Sequence, residues 1–260
     1  MRYLAVAAIF AFMIPGASLA APALTSIKPS VVDPGIDPAY DSPNEVGAPT
    51  ARARGRLFVF LPGSGVTPAQ YMKIVQEALR QGFNAIGLEY PNGTSIQQLC
   101  QKSHAAACPS LVRNDTITGK MPNRFVKVQR RDSIAGRLIS LLGYLAQHDP
   151  NGHWSQYLSD GSIVWSRVVV GGHSQGAGNA AYIGKLFNVA GLCDFDSPVD
   201  VDPTAPTPLP APWLSGKNVT PVEREFGFTN KLDRIAPYAQ VVADWNAIPI
   251  PAKNQLTITA

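Results

Sequence analysis

Apolar positions along the chain fall into short continuous runs and longer helical spacings that alternate. Arg56-Leu-Phe-Val-Phe-Leu61 is a β-prone apolar run closed by Pro62-Gly-Ser-Gly65. A run of this length bounded by turn residues predicts a buried strand. Over residues 68–81, Tyr71, Ile74, Val75, Ala78 and Leu79 recur at helical spacing, and Gly82 ends the helix. Residues 83–90 predict the next strand, stopped by Pro91-Asn-Gly93. Strand, helix, strand is the unit of a parallel sheet. The alternation continues with Ile134, Leu138, Leu141, Leu142 and Leu145 on one helical face, a buried central strand over 163–170, and a helix over 177–187. A strand over 225–229, a helix over 235–245 and a last strand over 255–259 complete it.

Three stretches lack this rhythm. Residues 21–54 carry Pro22, Pro29, Pro34, Pro38 and Pro43 and predict an extended, proline-rich N-terminal arm. Residues 92–129 predict a long irregular insertion, and long loops in compact domains tend to border functional clefts. Pro203, Pro206, Pro208, Pro210 and Pro212 mark a loop that cannot be a central strand. Before the arm, Arg2, the apolar residues 4–14, the Pro15-Gly16 break and Ser18-Leu19-Ala20 read as a signal peptide cleaved after Ala20. Eleven apolar residues are too few to cross ~30 Å of hydrocarbon. A secreted or periplasmic protein without a stable membrane anchor is therefore expected, with one domain over 55–260.

An oxidising compartment permits a disulfide between Cys100 and Cys108, and leaves Cys193 in an apolar run as a buried structural thiol. Asn92, Asn114 and Asn218 each open a triplet of the N-glycosylation pattern. Composition narrows the class: 260 residues, 45% hydrophobic and 15% charged, exclude a disordered, collagen-like or coiled-coil chain. The net charge of +4 is scattered. Its densest cluster, Lys127 with Arg130 and Arg131, reads as a solvated helix face, so no nucleic-acid partner is expected. No His/Asp cluster has metal-ligand spacing, and neither metal nor other cofactor is expected.

Gly172-His-Ser-Gln-Gly176 is a G-x-S-x-G sequence between the predicted central strand and a helix. In that context the serine sits on a sharp turn that projects its hydroxyl at the sheet's carboxyl edge, and the flanking glycines let the backbones pass closely. The helix amino terminus beneath favours developing negative charge. With Leu61-Pro-Gly-Ser-Gly65 after an early strand and Asp233 after a late one, the chain resembles, over residues 55–260, the α/β-hydrolase superfamily, most nearly its secreted lipase and esterase branch. The resemblance implies a three-layer α/β/α fold with a mostly parallel central sheet, and an acyl-transfer enzyme with a Ser, acid and His triad. Ser174 would be the nucleophile and Asp233 the acid, with Asp194, Asp196 and Asp200 as alternatives after another strand. The backbone amides of Ser64 and Gln175 would form the oxyanion hole.

The base is the departure. In the family it is a histidine after the last strand, but His104, His148, His153 and His173 all precede Ser174. The expectation is a chain truncated after its last strand, before the loop that carries the histidine. Two functions follow. One is a secreted serine hydrolase acting on a small-molecule or lipid-like ester through an acyl-enzyme on Ser174. The alternative is a non-catalytic ligand-binding or interaction protein that lacks the triad histidine.

Overall fold

Residues 22–49 and 53–259 are described by the computed structural model, so the expected leader lies outside the described residues. The strands are β1 Thr25–Ile27, β2 Asn44–Gly47, β3 Leu57–Leu61, β4 Asn84–Gly87, β5 Leu158–Ser159, β6 Ser162–Ile163, β7 Val168–His173, β8 Gly191–Phe195, β9 Glu225–Asn230 and β10 Gln255–Ile258. The helices are α1 Pro29–Val32, α2 Met72–Arg80, α3 Ile96–Cys100, α4 Cys108–Thr118, α5 Ile134–His148, α6 Gln175–Leu186 and α7 Tyr238–Ala247.

Eight strands form one sheet in the order β1-β2-β4-β3-β7-β8-β9-β10. From β4 to β10 neighbours run parallel, while β1 and β2 join antiparallel at one edge. All five residues of β3 are buried, as its unbroken apolar run requires of a strand covered on both faces. Alternate residues serve different layers. Leu57, Val59 and Leu61 pack with α5 residues such as Leu138 and Leu142 and with Ile183 of α6. Phe58 and Phe60 face Val75, Ala78 and Leu79 of α2. Trp245 of α7 lies against Gly227 of β9 and clusters with Ala181 of α6. These are the three layers that the resemblance implied.

Three segments differ from expectation. The proline-rich residues 21–54 are not a free arm, because β1 and β2 extend the sheet. Pro29 and Pro38 occupy the first turns of α1 and of a short 3₁₀ turn, positions that need no N–H donor. Strand β2 escaped notice because it buries polar Asn44 and Glu45, whose side chains bond Ile27, Glu89 and Ser26. The insertion at 92–129 is partly helical: a Ser95/Gln98 capping box opens α3, and Pro109 sits in the first turn of α4. Cys100 and Cys108 join these helices in a disulfide. The central strand starts at Val168 rather than at 163, since Trp165–Arg167 form a 3₁₀ turn and Ile163 belongs to the β5-β6 hairpin. It runs through Gly171-Gly172, where the Phe58 ring leaves little room for a side chain on Gly171.

Candidate active site

Strand β7 delivers Ser174 into α6 with φ 53° and ψ −121°, a conformation costly for a residue with a Cβ. Close backbone crossings hold it there. A Cβ on Gly172 would lie 2.3 Å from the Gly176 carbonyl carbon, and one on Gly176 would lie 2.0 Å from the Leu61 oxygen. Both glycines are therefore sterically required. The Ser174 amide donates to Phe195 O (2.9 Å), and its carbonyl accepts from the Gly178 amide (3.1 Å). Its side chain makes no capping bond to α6, although it stands at the N-cap. The hydroxyl instead borders a cleft of about 700 Å³, shared with Ser64, Tyr71, His173 and a mainly apolar opposite wall that includes Ile235 and Ala236.

The parallel sheet brings the loop after β3 beside the elbow, since Leu61 pairs with Gly172. Ser64 Oγ donates to Gln175 Oε1 at 2.5 Å, which joins the two expected oxyanion residues. The loop is tied from behind. Tyr90 donates its hydroxyl to Pro62 O (2.7 Å), and Asn92 Nδ2 donates to Gly63 O (2.7 Å) and Val66 O (2.8 Å). In a planar trans peptide the N–H points opposite to the C=O, so the Ser64 amide is turned away from Asn92. Asn92 is buried, and its amide nitrogen is spent on these carbonyls, so the first glycosylation triplet is closed to modification in the folded chain.

Beneath the elbow lies Arg113 of α4, 1% exposed. Its guanidinium donates to both carboxylate oxygens of Asp200 at 2.6 Å, to Asn179 Oδ1 (2.9 Å) and to Gln175 O (3.2 Å). Asp200 also accepts from Trp213 Nε1 (2.8 Å), and its own amide donates to Asp244. The arginine thus ties the residue that follows the nucleophile to three other segments. A buried charge of this kind must be fully partnered to be tolerated.

An eight-stranded, mostly parallel sheet between helical layers, with a serine on a strained turn at its carboxyl edge, is now in view. The fold is that of an α/β-hydrolase. No protein-family model matches the chain, and no curated protein matches it. Among solved structures it is similar to an alpha-beta serine hydrolase homologue from Coxiella burnetii, at 14% identity and TM-score 0.48 over 92% of this chain and 87% of that one. It is also similar to Thermogutta terrifontis esterase 2, in a structure phosphonylated by sarin, at 13% identity and TM-score 0.49 over 92% and 84%. Esterase PE8 aligns at 14% identity and TM-score 0.41 over 83% and 86%.

In this α/β-hydrolase fold the candidate acids have separate fates. Asp233 lies between β9 and α7, where its Oδ1 accepts from the amides of Ile235 (2.6 Å) and Ala236 (3.0 Å). It shapes the cleft rim. Asp196 follows β8 with φ 53°. Its Oδ1 accepts from Thr229 Oγ1 (2.8 Å) and the Asn230 amide (3.2 Å), and its Oδ2 stands 3.8 Å from His173 Nε2. Asp200 is bound to Arg113, and Asp194 is buried next to Glu225, where burial and the Glu225 charge hold its carboxyl well above the ordinary range.

Among the described residues His173 is the one histidine that lines the cleft, and it pairs through Nδ1 with the Tyr71 hydroxyl at 2.9 Å. Burial raises the Tyr71 phenol, with the Gly63 amide opposing. His148 bonds Tyr144 O and stacks on its ring, His153 sits in a left-handed turn, and His104 lies between α3 and α4. The Cys193 thiol is pushed up to about 12 by burial and the neighbouring Asp194, so it is no nucleophile. Among the described residues no group of His, Cys, Asp and Glu could hold a metal ion.

Sequence reasoning missed Tyr71, Asn92 and Arg113. Tyr71 matched the helical face and read as core, Asn92 read as a glycosylation site, and Arg113 carried no signal because its partners lie 62 to 87 residues away. Helical burial of an arginine is a weak pattern in a single sequence.

Proposed function

We propose that the chain is a serine hydrolase of carboxylic esters. Ser174 Oγ attacks the ester carbonyl carbon, its proton passes to a base, and the C–O bond to the alcohol breaks as the alcohol takes that proton. Water then attacks the acyl-enzyme, and the carboxylic acid leaves. The oxyanion of each tetrahedral step is held by the amides of Ser64 and Gln175 at the amino end of α6. We assign Asp233 as the acid, since both of its loop bonds fall on Oδ1 and leave Oδ2 open to a histidine Nδ1–H; among the described residues no histidine bonds it, and His173 pairs with Tyr71 and stands 3.8 Å from Asp196. The observation that carries the reading is Ser174 itself: a serine strained at φ 53°, whose side chain caps nothing and borders a cleft.

The test is turnover of p-nitrophenyl butyrate together with covalent labelling by a fluorophosphonate. Labelling confined to Ser174, and loss of both signals in Ser174→Ala, is the expected result. A binding protein without turnover is the second reading. It is favoured by His173, whose two ring nitrogens face Tyr71 and Asp196. A chain that binds esters but is neither labelled nor active would establish it. We further propose that residues 1–20 export the chain, a reading consistent with the Cys100–Cys108 disulfide.

A further inference from the structure

The net positive charge of the chain is carried by one loop. Residues 116–131 hold Lys120, Arg124, Lys127, Arg130 and Arg131 and no Asp or Glu, five of the 22 basic residues and none of the 18 acidic ones. Without them the total of +4 becomes −1. The sequence pattern reads Lys127, Arg130 and Arg131 as a helix face, but α5 begins at Ile134 behind its Ser133 N-cap, and these cations stand on irregular backbone. All five are exposed. Arg131 pairs with Asp33 at 3.6 Å, and Arg124 lies over the Phe125 ring. Among the described residues Lys120, Arg124, Lys127 and Arg130 form no ion pair.

The backbone of this loop is fixed from below. Asp115 of α4, fully buried, accepts from the amides of Met121 (3.1 Å) and Val128 (3.0 Å), one on each carboxylate oxygen. Asn123 accepts from the amides of Phe125 (2.9 Å) and Val126 (3.1 Å) and donates to Leu111 O (3.2 Å). Gly119, left-handed at the end of α4, lets the neck close, since a Cβ there would lie 2.5 Å from Arg130 Cα. Lys120 is thereby brought beside Arg130. A loop already held in one shape spends little on ordering when it binds.

Behind Lys127 the loop faces residues 35–40 across a cavity of about 470 Å³, walled by Pro38, Tyr40, Pro91 and Val126. Asp132 on that wall is balanced by the buried Arg137 (3.1 Å), and Asp37 is the carboxylate that remains. Proline and tyrosine faces match the C–H faces of pyranose rings, Asp37 accepts from sugar hydroxyls, and the cations pair with carboxylate or sulfate groups. Other polyanions fit less well. Phe125, the one aromatic ring of the loop, packs against the Ile96, Cys100 and Val112 cluster, so nucleic-acid bases find no stacking platform. Met121 is its one exposed large apolar side chain, too little to hold a lipid surface.

We propose that the loop over residues 116–131, with this cavity, is the binding site of a linear polysaccharide that bears carboxylate or sulfate groups. The site stands independently of the chemistry at Ser174. The experiment titrates the full chain against a fluorescent heparin decasaccharide and a fluorescent decagalacturonate. Binding of both is the expected result, with log K falling against log salt at a slope of about −3 for four free cations. The tighter probe tells sulfate from carboxylate as the preferred group. The quadruple variant Lys120→Gln, Arg124→Gln, Lys127→Gln, Arg130→Gln should weaken both probes by about thirtyfold or more and flatten the slope. Gln129→Trp, which fills the cavity from its exposed side, should weaken them about tenfold at an unchanged slope. An equal loss in the charge-matched control Lys73→Gln, Lys217→Gln, Lys231→Gln, Lys253→Gln overturns the site, because net charge alone would then explain binding. The site is also overturned if neither probe binds or if Gln129→Trp leaves affinity unaltered. Tighter binding of single-stranded oligothymidylate or of phosphatidylglycerol vesicles than of either sugar overturns it in favour of a different partner.

Discussion

On one side of the Ser174 cleft the backbone is fixed by bonds that are themselves buried, whereas the opposite wall is held by carboxylates that fold exposed loops onto themselves. The first wall comprises the elbow and the β3 loop, with Tyr90, Asn92 and Arg113 as buried fasteners. The second comprises the loop after β9 and the outer residues of the loop after β8, whose inner residue Asp200 is held by Arg113; there Asp196, Asp202 and Asp233 accept the backbone amides of Asn230, Thr204 and Ala236. Ile235 on that wall is 89% exposed. The difference corresponds to a division of labour. Stabilising an oxyanion requires donors fixed to a few tenths of an ångström, while binding an apolar group requires only shape and a hydrophobic surface.

The sharpest test of this division is the acid. Asn in place of Asp keeps the loop bond through its carbonyl oxygen but removes the charge. Asp233→Asn is expected to lower kcat by about 10³ to 10⁴, as loss of a triad acid does, with little change in melting temperature. Asp196→Asn is expected to lower it less than tenfold. The measurement is ester turnover on matched, folded proteins. The reverse ranking would transfer the role to Asp196 and make its contact with His173 the working pair.

The other wall is broken through Arg113. Arg113→Met leaves Asp200 buried without its cation and releases the Gln175 carbonyl, which should cost about 3–5 kcal/mol of folding stability. Denaturant unfolding reads it directly. Replacing Asp200 as well, with leucine, should restore most of the loss, because the penalty comes from the uncompensated charge. A single variant within about 1 kcal/mol of the parent would show that the network is dispensable and that the glycine crossings alone hold the elbow.

How much of this could be read from the chain follows the same line. Strand β3 and helices α2 and α5 were legible because burial there is mainly apolar and, in the helices, periodic, whereas β9 was marked by its β-prone residues although it buries Glu225 and Thr229 and exposes Phe226. The strained turn at Ser174 was legible because such an elbow requires its glycines within five residues, and the loop after β3 was legible from Pro62-Gly-Ser-Gly65. Strand β2 was hidden because it buries Asn44 and Glu45, which a hydrophobic pattern reads as surface, and β1 because its three residues are largely exposed. Arg113 was hidden because its value lies in partners distant in sequence. Tyr71 shows the limit in one residue: its position in the helix predicted burial, but its hydroxyl, aimed at His173, belongs to the site.

A smaller effect concerns the carboxyl pair behind the oxyanion wall. Asp194 on β8 is fully buried beside Glu225 of β9, with Arg113 and Lys185 as the nearby cations. Burial, then the Glu225 charge, raises the Asp194 pKa well above its ordinary 3.8. The folded chain therefore keeps a proton that the unfolded chain releases as pH rises past about 4. Bound protons exceed those of the unfolded state, so the stability from this group is full below that pH and declines as pH rises. The limiting slope is about 1.4 kcal/mol per pH unit. Asp194→Asn cannot ionise and can still donate to the Glu225 carboxylate. Its melting temperature should thus fall less steeply than that of the parent between about pH 5 and 8, with the two curves converging toward the acid end. Parallel curves across that range would mean that Asp194 is ionised in the fold and that Arg113, rather than a proton, compensates it.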